Sequence, residues 1–241
     1  MRSVGKIKSI ISMKSLVTGG AGFIGSNLVD QLVKLKHQVV VLDNLSNGKL
    51  SNLEHIKNKI EFINVDISKD AETIKKYFND VDQVFHIAGL ADMLPSISNP
   101  NKYFQTNVVG TLNILQASKE AKVKKFIYAA SASCYGNPEK YPTDEKCKID
   151  TQYPYSLTKF LGEQLVMHWA KIYSMPNISL RFFNVYGPRS SLKDAYSSVF
   201  SIFLSQKLSK KSLTIVGNGK QTRDFIHVYD LVDAIIKTAE K

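Results

Sequence analysis

Cysteine is nearly absent from this chain of 241 residues: only Cys134 and Cys147 occur, too few for a disulfide framework. No His/Cys spacing reads as a metal site. Long apolar runs are also missing, since Lys, Ser or Asn interrupts each before it reaches membrane-spanning length. Residues 1–14 (MRSVGKIKSIISMK) carry Lys6 and Lys8 within their apolar pieces and lack a small-residue cleavage site, which argues against a secretory leader. A soluble, cytoplasmic protein is expected. Arginine is scarce too: Arg2, Arg181, Arg189 and Arg223 are the only arginines among 32 basic residues. The net charge of +11 therefore comes from lysines scattered in ones and twos, without a basic helix or interleaved aromatics. That pattern reads as a lysine-rich surface rather than a nucleic-acid footprint. Three of the arginines fall between residues 181 and 223, which suggests planar, bidentate binding of an anion.

What is present is ordinary globular material. With 44% hydrophobic and 22% charged residues, disorder and low complexity are excluded. The length suits one large domain or two small ones. Apolar runs at 15–18, 38–42, 60–65, 83–87, 125–130 and 178–182 read as strands. Helical patterns at 23–35, 71–78, 102–121 and 155–173 fall between them. Strands apolar throughout, separated by amphipathic helices, predict a parallel sheet covered on both faces, that is, an α/β Rossmann fold with a doubly wound sheet. After Asn184 the rhythm changes to a loop at 186–189, a helix at 199–208, a strand at 213–216, a short strand at 225–228 and a helix from 231. The expected organisation is an N-terminal extension (1–13), a doubly wound domain (14–183) and a smaller C-terminal lobe (184–241) interleaved with it.

Thr18-Gly19-Gly20-Ala21-Gly22-Phe23-Ile24-Gly25 lies between the first strand and the first helix. Glycines at 19, 22 and 25 allow a tight turn and let backbone N–H groups approach a pyrophosphate at the helix N-terminus. Gly19, Gly22, Phe23, Ile24 and Gly25 are accordingly assigned to a dinucleotide. Asp43, followed by Asn44, ends the second strand, where a carboxylate accepts from the adenosine ribose hydroxyls and repels a 2′-phosphate. The cofactor is therefore expected to be NAD rather than NADP.

Tyr155 and Lys159 stand four residues apart on one predicted helix, hence on one face. A neighbouring ammonium favours the phenolate and brings Tyr155 toward the range of a general base. Ser131 ends the fifth strand, at the sheet edge where ligands of such folds bind.

The ordered set TGGAGFIG, the acid after the second strand, Asp66-Ile67, NVVGTLN (107–113), the serine-ended strand, YxxxK, RFFNVYGPR (181–189) and GNGKQTRDFIHV (217–228) resembles the extended short-chain dehydrogenase/reductases over residues 14–241. Within them it is most similar to the nucleotide-sugar epimerases and dehydratases of the UDP-glucose 4-epimerase kind. The resemblance implies that Asp66 and Ile67 flank the adenine, that Ala88 lines the cofactor beside His86, and that Asn107 sits in the active-site helix. It further implies Ser131, Tyr155 and Lys159 as the catalytic set, with Lys159 also on the nicotinamide ribose. Ser131 and Ser133 would face the substrate, and Asn184, Arg189 and Arg223 would lie at its diphosphate. The related dehydratases and decarboxylases carry a Glu just after the catalytic hydroxyl, whereas this chain has Ala132 and Ser133. Epimerisation at C4 of a nucleotide-sugar, most simply a UDP-hexose, is thus expected over dehydration, decarboxylation, ketoreduction or non-catalytic NAD binding. A homodimer through helices 102–121 and 155–173 is a further implication, as is a substrate lobe that continues past Lys241.

Overall fold

The computed structural model describes residues 12–69, 71–190 and 199–241. Of the expected N-terminal extension, residues 1–11, including Arg2, lie outside the described residues. β1 (Lys14–Thr18), β2 (Gln38–Asp43), β3 (Ile60–Asn64), β4 (Gln83–His86), β5 (Lys125–Ser131) and β6 (Asn177–Phe182) form one sheet in the order β3-β2-β1-β4-β5-β6. Every pairing is parallel; Val17, for example, registers with Val41 on one side and Phe85 on the other. The order reverses between β1 and β4, which opens a crevice at the carboxyl ends of those strands.

The strands read as apolar throughout because alternate residues feed two cores. Leu16, Val40, Val84 and Phe126 point to one face, covered by α2 (Ala71–Lys75), α5 (Gly110–Glu120) and α6 (Pro154–Tyr173). Val17, Val41, Phe85 and Ile127 point to the other, under α1 (Phe23–Lys34) and α8 (Val228–Glu240). Burial on α8 falls on Val228, Leu231, Val232, Ile235 and Ile236, a helical stripe. Each such side chain contributes about 1.5–3 kcal/mol on full burial. That is ample to hold the last helix against the sheet beside α1, so after residue 227 the chain packs back on the six-stranded sheet.

Four features differ from the sequence expectation. The helix expected at 102–121 starts earlier, at α4 (Pro100–Phe104), and passes through a π turn, Gln105–Val109, before α5. A further helix, α3 (Met93–Ser98), precedes it and packs against α6. The strand expected at 213–216 does not form: Thr214 is tied to the Gln206 side chain at the end of α7 (Val199–Leu208), and among the described residues no strand pairs with it. Instead β7 (Asn184–Tyr186), within a stretch read as loop, pairs in parallel with β8 (Phe225–His227).

Candidate active site

A cleft of about 760 Å³ opens where β1 and β4 diverge. Gly19 stands at φ 69°, and a Cβ there would meet the Ala88 backbone at 2.7 Å. A Cβ on Gly25 would lie 2.1 Å from the Gly19 carbonyl oxygen, so only glycine lets α1 start this close to the turn. α1 is N-capped by Gly22 without a side-chain hydrogen bond, which leaves its first amides available to an anion. At the other end Asp43 is buried and accepts from the amides of Ala21 (2.9 Å) and Leu45 (2.8 Å). Burial raises its pKa above the ordinary carboxylate value, and those two hydrogen bonds oppose the shift. Burial pushes the Asp66 carboxyl up, but hydrogen bonds from Ser68 and the nearby Asn44 amide bring it below its usual value.

The far wall of the cleft includes Ala88, Gly89 and Leu90, and Leu90 packs with Tyr103 and Tyr155. The first turn of α6 receives help from α3: the Tyr155 amide donates to Ser96 Oγ at 3.1 Å. The Tyr155 phenol sits beside the Ser131 and Ser133 hydroxyls, which are themselves 2.9 Å apart. Burial raises the Tyr155 pKa, while those hydroxyls pull it back. Lys159, one turn on, is 6% exposed, and burial depresses its ammonium to about 7. The expected lowering of Tyr155 by its neighbour is therefore not what the protein alone does, because both groups lose water together. Asn107 in the π turn completes the wall from behind. Its Oδ1 accepts from the Leu90 amide at 2.8 Å, and its Nδ2 donates to Leu90 O and Thr158 Oγ1.

The family model described as the NAD dependent epimerase/dehydratase family matches residues 15–241. The chain belongs to that family. It is 36% identical over 229 residues to a UDP-glucose 4-epimerase of Mycolicibacterium smegmatis, covering 93% of this chain and 72% of that relative. Among solved structures it resembles a UDP-N-acetylglucosamine 4-epimerase from Methanobrevibacter ruminantium in complex with UDP-N-acetylmuramic acid (TM-score 0.92, 35% identity, 95% of this chain and 74% of that one). A UDP-glucose 4-epimerase from Thermotoga maritima with UDP-glucose gives TM-score 0.90 at 35% identity, again over 95% of this chain and 74% of that one.

Of the residues singled out from sequence, Gly19, Gly22, Phe23, Ile24, Gly25, Asp43, Asn44, Asp66, Ile67, Ala88 and Arg189 line the family member's cleft together. Ser131, Ser133, Tyr155 and Lys159 gather just beyond Gly89 and Leu90. Asn107 lies behind that wall with its amide spent on protein partners. The arginines differ most from expectation. Arg181 does make a bidentate pair, but with the internal carboxylate of Glu163 (3.0 and 2.6 Å), and it also donates to Tyr135. Arg189 pairs with Asp30 of α1 at 2.7 Å. Arg223 is exposed and donates to the carbonyl of its neighbour Thr222, while Asn184 donates to Asp224 O. Sequence reasoning missed the loop Ser46-Asn47-Gly48-Lys49, which folds back over Asp43 and lines the cleft with Asn52. Its Ser-Asn-Gly turn signal directly after the acid was the available clue.

Among the described residues no helix is long and apolar enough to cross a membrane, and no cluster of His, Cys, Asp or Glu is suited to a metal ion.

Proposed function

We propose that this chain catalyses NAD-dependent 4-epimerisation of a UDP-hexose through a transient 4-keto sugar. One observation carries the reading: the Tyr155 phenol sits beside the hydroxyls of Ser131 and Ser133, one helical turn from Lys159, where the dinucleotide cleft ends. The cleft fits NAD, because the approach at Gly19 and Gly25 excludes any side chain and the uncapped start of α1 faces the same turn. Gly19, Gly22, Phe23, Ile24 and Gly25 would hold the pyrophosphate, Asp43 and Asn44 the adenosine ribose, Asp66 and Ile67 the adenine. Ala88, Tyr155 and Lys159 would serve the nicotinamide end, and Asn107, its amide bound to Leu90 and Thr158, would support that wall from behind. Bound there, NAD supplies a reversible hydride acceptor for C4 of the sugar, with no net redox change over a cycle.

The chain's own residues handle the proton and the oxygen. Tyr155 takes the proton of the 4-hydroxyl and returns it once the keto sugar has turned, and Ser131 holds the same oxygen by a hydrogen bond. Lys159 keeps positive charge beside the developing phenolate. Neither Ala132 nor Ser133 is a carboxylic acid, so the acid needed to expel water across C5–C6 is missing from this turn. That favours epimerisation over dehydration. Ser133 would touch the sugar; Arg189, lining the cleft, and the exposed Asn184 and Arg223 are the diphosphate-binding candidates.

Incubation of the purified protein with NAD and UDP-glucose, followed by NMR, should show inversion at C4. Tyr155→Phe should abolish turnover and leave NAD binding intact; full turnover in that variant would refute the assigned base. We further infer a homodimer through α4, α5 and α6, supported by the exposed Phe104, Leu112 and Leu157 on those helices. A monomeric mass by light scattering would count against it. The unpaired thiols of Cys134 and Cys147 support a reducing, cytoplasmic setting.

A further inference from the structure

Three side chains distant in sequence meet behind the cleft. Thr18 ends β1, His86 ends β4, and Thr111 lies in the first turn of α5. His86 Nδ1 is 2.7 Å from Thr18 Oγ1, and its Nε2 is 2.9 Å from Thr111 Oγ1. Thr18 and His86 are fully buried and Thr111 nearly so.

One assignment of the protons uses every hydroxyl hydrogen in the cluster. The Thr111 hydroxyl donates its one hydrogen to the Asn107 carbonyl at 2.6 Å. It can then only accept from the ring, so the proton sits on Nε2. Nδ1 is left as the acceptor and takes the Thr18 hydroxyl hydrogen, while Thr18 Oγ1 accepts from the Ala88 amide at 3.1 Å. Burial lowers the ring's pKa to about 3, in keeping with a neutral imidazole. The result is a one-way donor chain from the Ala88 amide through Thr18, His86 and Thr111 to the Asn107 carbonyl. Ala88 lines the cleft. Asn107, at the other end, grips Leu90 and Thr158, and the Thr158 hydroxyl donates to the carbonyl of Tyr155 at 2.9 Å.

We propose that His86 is a positioning residue whose single tautomer couples the backbone facing the dinucleotide, at Ala88, to the π turn that holds the helix of Tyr155 and Lys159. The inference rests on the functional reading above, in which Ala88 faces NAD and Tyr155 reacts. A fully satisfied buried network of this kind fixes one arrangement, whereas a half-satisfied one does not. Histidine suits the position because it offers an acceptor and a donor on separate edges at once. An Asn amide reaches only the Thr18 side of that space, and a Gln amide only the Thr111 side.

The test compares His86→Asn and His86→Gln in the full chain by NAD titration, by kcat and KM for UDP-glucose, and by amide hydrogen exchange over residues 105–111. His86→Asn should lower kcat about tenfold and speed exchange in the π turn, with a smaller loss of NAD affinity. His86→Gln should weaken NAD about tenfold, with the smaller loss in kcat. Thr111→Val should repeat the pattern of His86→Asn, and Thr111→Ser should largely restore it. Parallel losses in both His86 variants, or unchanged exchange over 105–111, would reduce His86 to a packing residue and overturn the proposal. Should neither His86 variant fold, the Thr111→Val and Thr111→Ser pair decides by the same exchange criterion. A wild-type protein that binds NAD but leaves UDP-glucose unchanged would refute the epimerase reading, while exchange and NAD affinity would still judge the coupling.

Discussion

Lys159 Nζ rests over the face of the Tyr128 ring, 4.6 Å from its centroid. A Cβ on Gly89 would reach within 3.5 Å of the same nitrogen. The ammonium is thus packed between an aromatic face and the cleft wall, and burial sets its acidity.

A pH dependence of stability follows. The Lys159 pKa drops from 10.5 to about 7 in the fold, so between those values the unfolded chain binds more protons at this site. Stability of the NAD-free protein should therefore rise with pH through that window. Tyr155 acts in the opposite sense above its ordinary value of 10.0, because the folded state keeps a proton that the unfolded chain loses. Urea midpoints measured from about pH 7.5 to 9 should climb in the wild type and flatten in Lys159→Met. Equal slopes in the two proteins would contradict the buried-ammonium account.

The glycine turn makes a graded prediction. A Cβ on Gly25 would overlap the Gly19 carbonyl at 2.1 Å, whereas one on Gly22 would stand 3.2 Å from the same atom. Gly25→Ala should weaken NAD by about 100-fold or more, and Gly22→Ala by about tenfold or less, read by calorimetric titration. Equal effects would mean that the turn relaxes more freely than its contacts allow.

Arg181 and Glu163 form a mostly buried pair, 2.6 Å at the closest atoms, with Tyr135 as a third member. The Glu163 carboxylate raises the pKa of the guanidinium further. Removing one partner leaves an uncompensated charge inside, so Glu163→Ala should cost about 3–5 kcal/mol of unfolding free energy. Replacing both residues with Met should recover much of that loss, because the buried charge goes with the pair. Denaturant unfolding of the single and double variants checks both statements.

Asp43 offers a specificity test. Its carboxylate would repel a 2′-phosphate, so Asp43→Asn should raise the NADP-to-NAD affinity ratio by about tenfold. An Asn oxygen can still accept from Ala21 or Leu45, which keeps the loop in place. An unchanged ratio would remove Asp43 from cofactor selection.

Much of this protein was legible from local pattern. The apolar strands, the glycine turn with its following acid, and Tyr155 four residues before Lys159 all depend on residues close in sequence, whose spacing already implies their geometry. The π turn was not legible, because it is stabilised by Asn107 reaching Leu90 and Thr158 and by Thr111 meeting His86. Nor could sequence choose the anion that Arg181 grips: a guanidinium binds any carboxylate brought to it, and only folding brought Glu163. The segment 213–216 has strand composition but no pairing strand among the described residues, while Asn184–Tyr186 found one in Phe225–His227. Periodicity and short-range sterics determined the six strands of the parallel sheet, the helices at 23–35 and 155–173, and where the glycine turn lies. Tertiary structure alone decided which buried polar groups face one another, because a hydrogen bond such as Thr18 to His86, across 68 residues, exists only once the sheet has assembled.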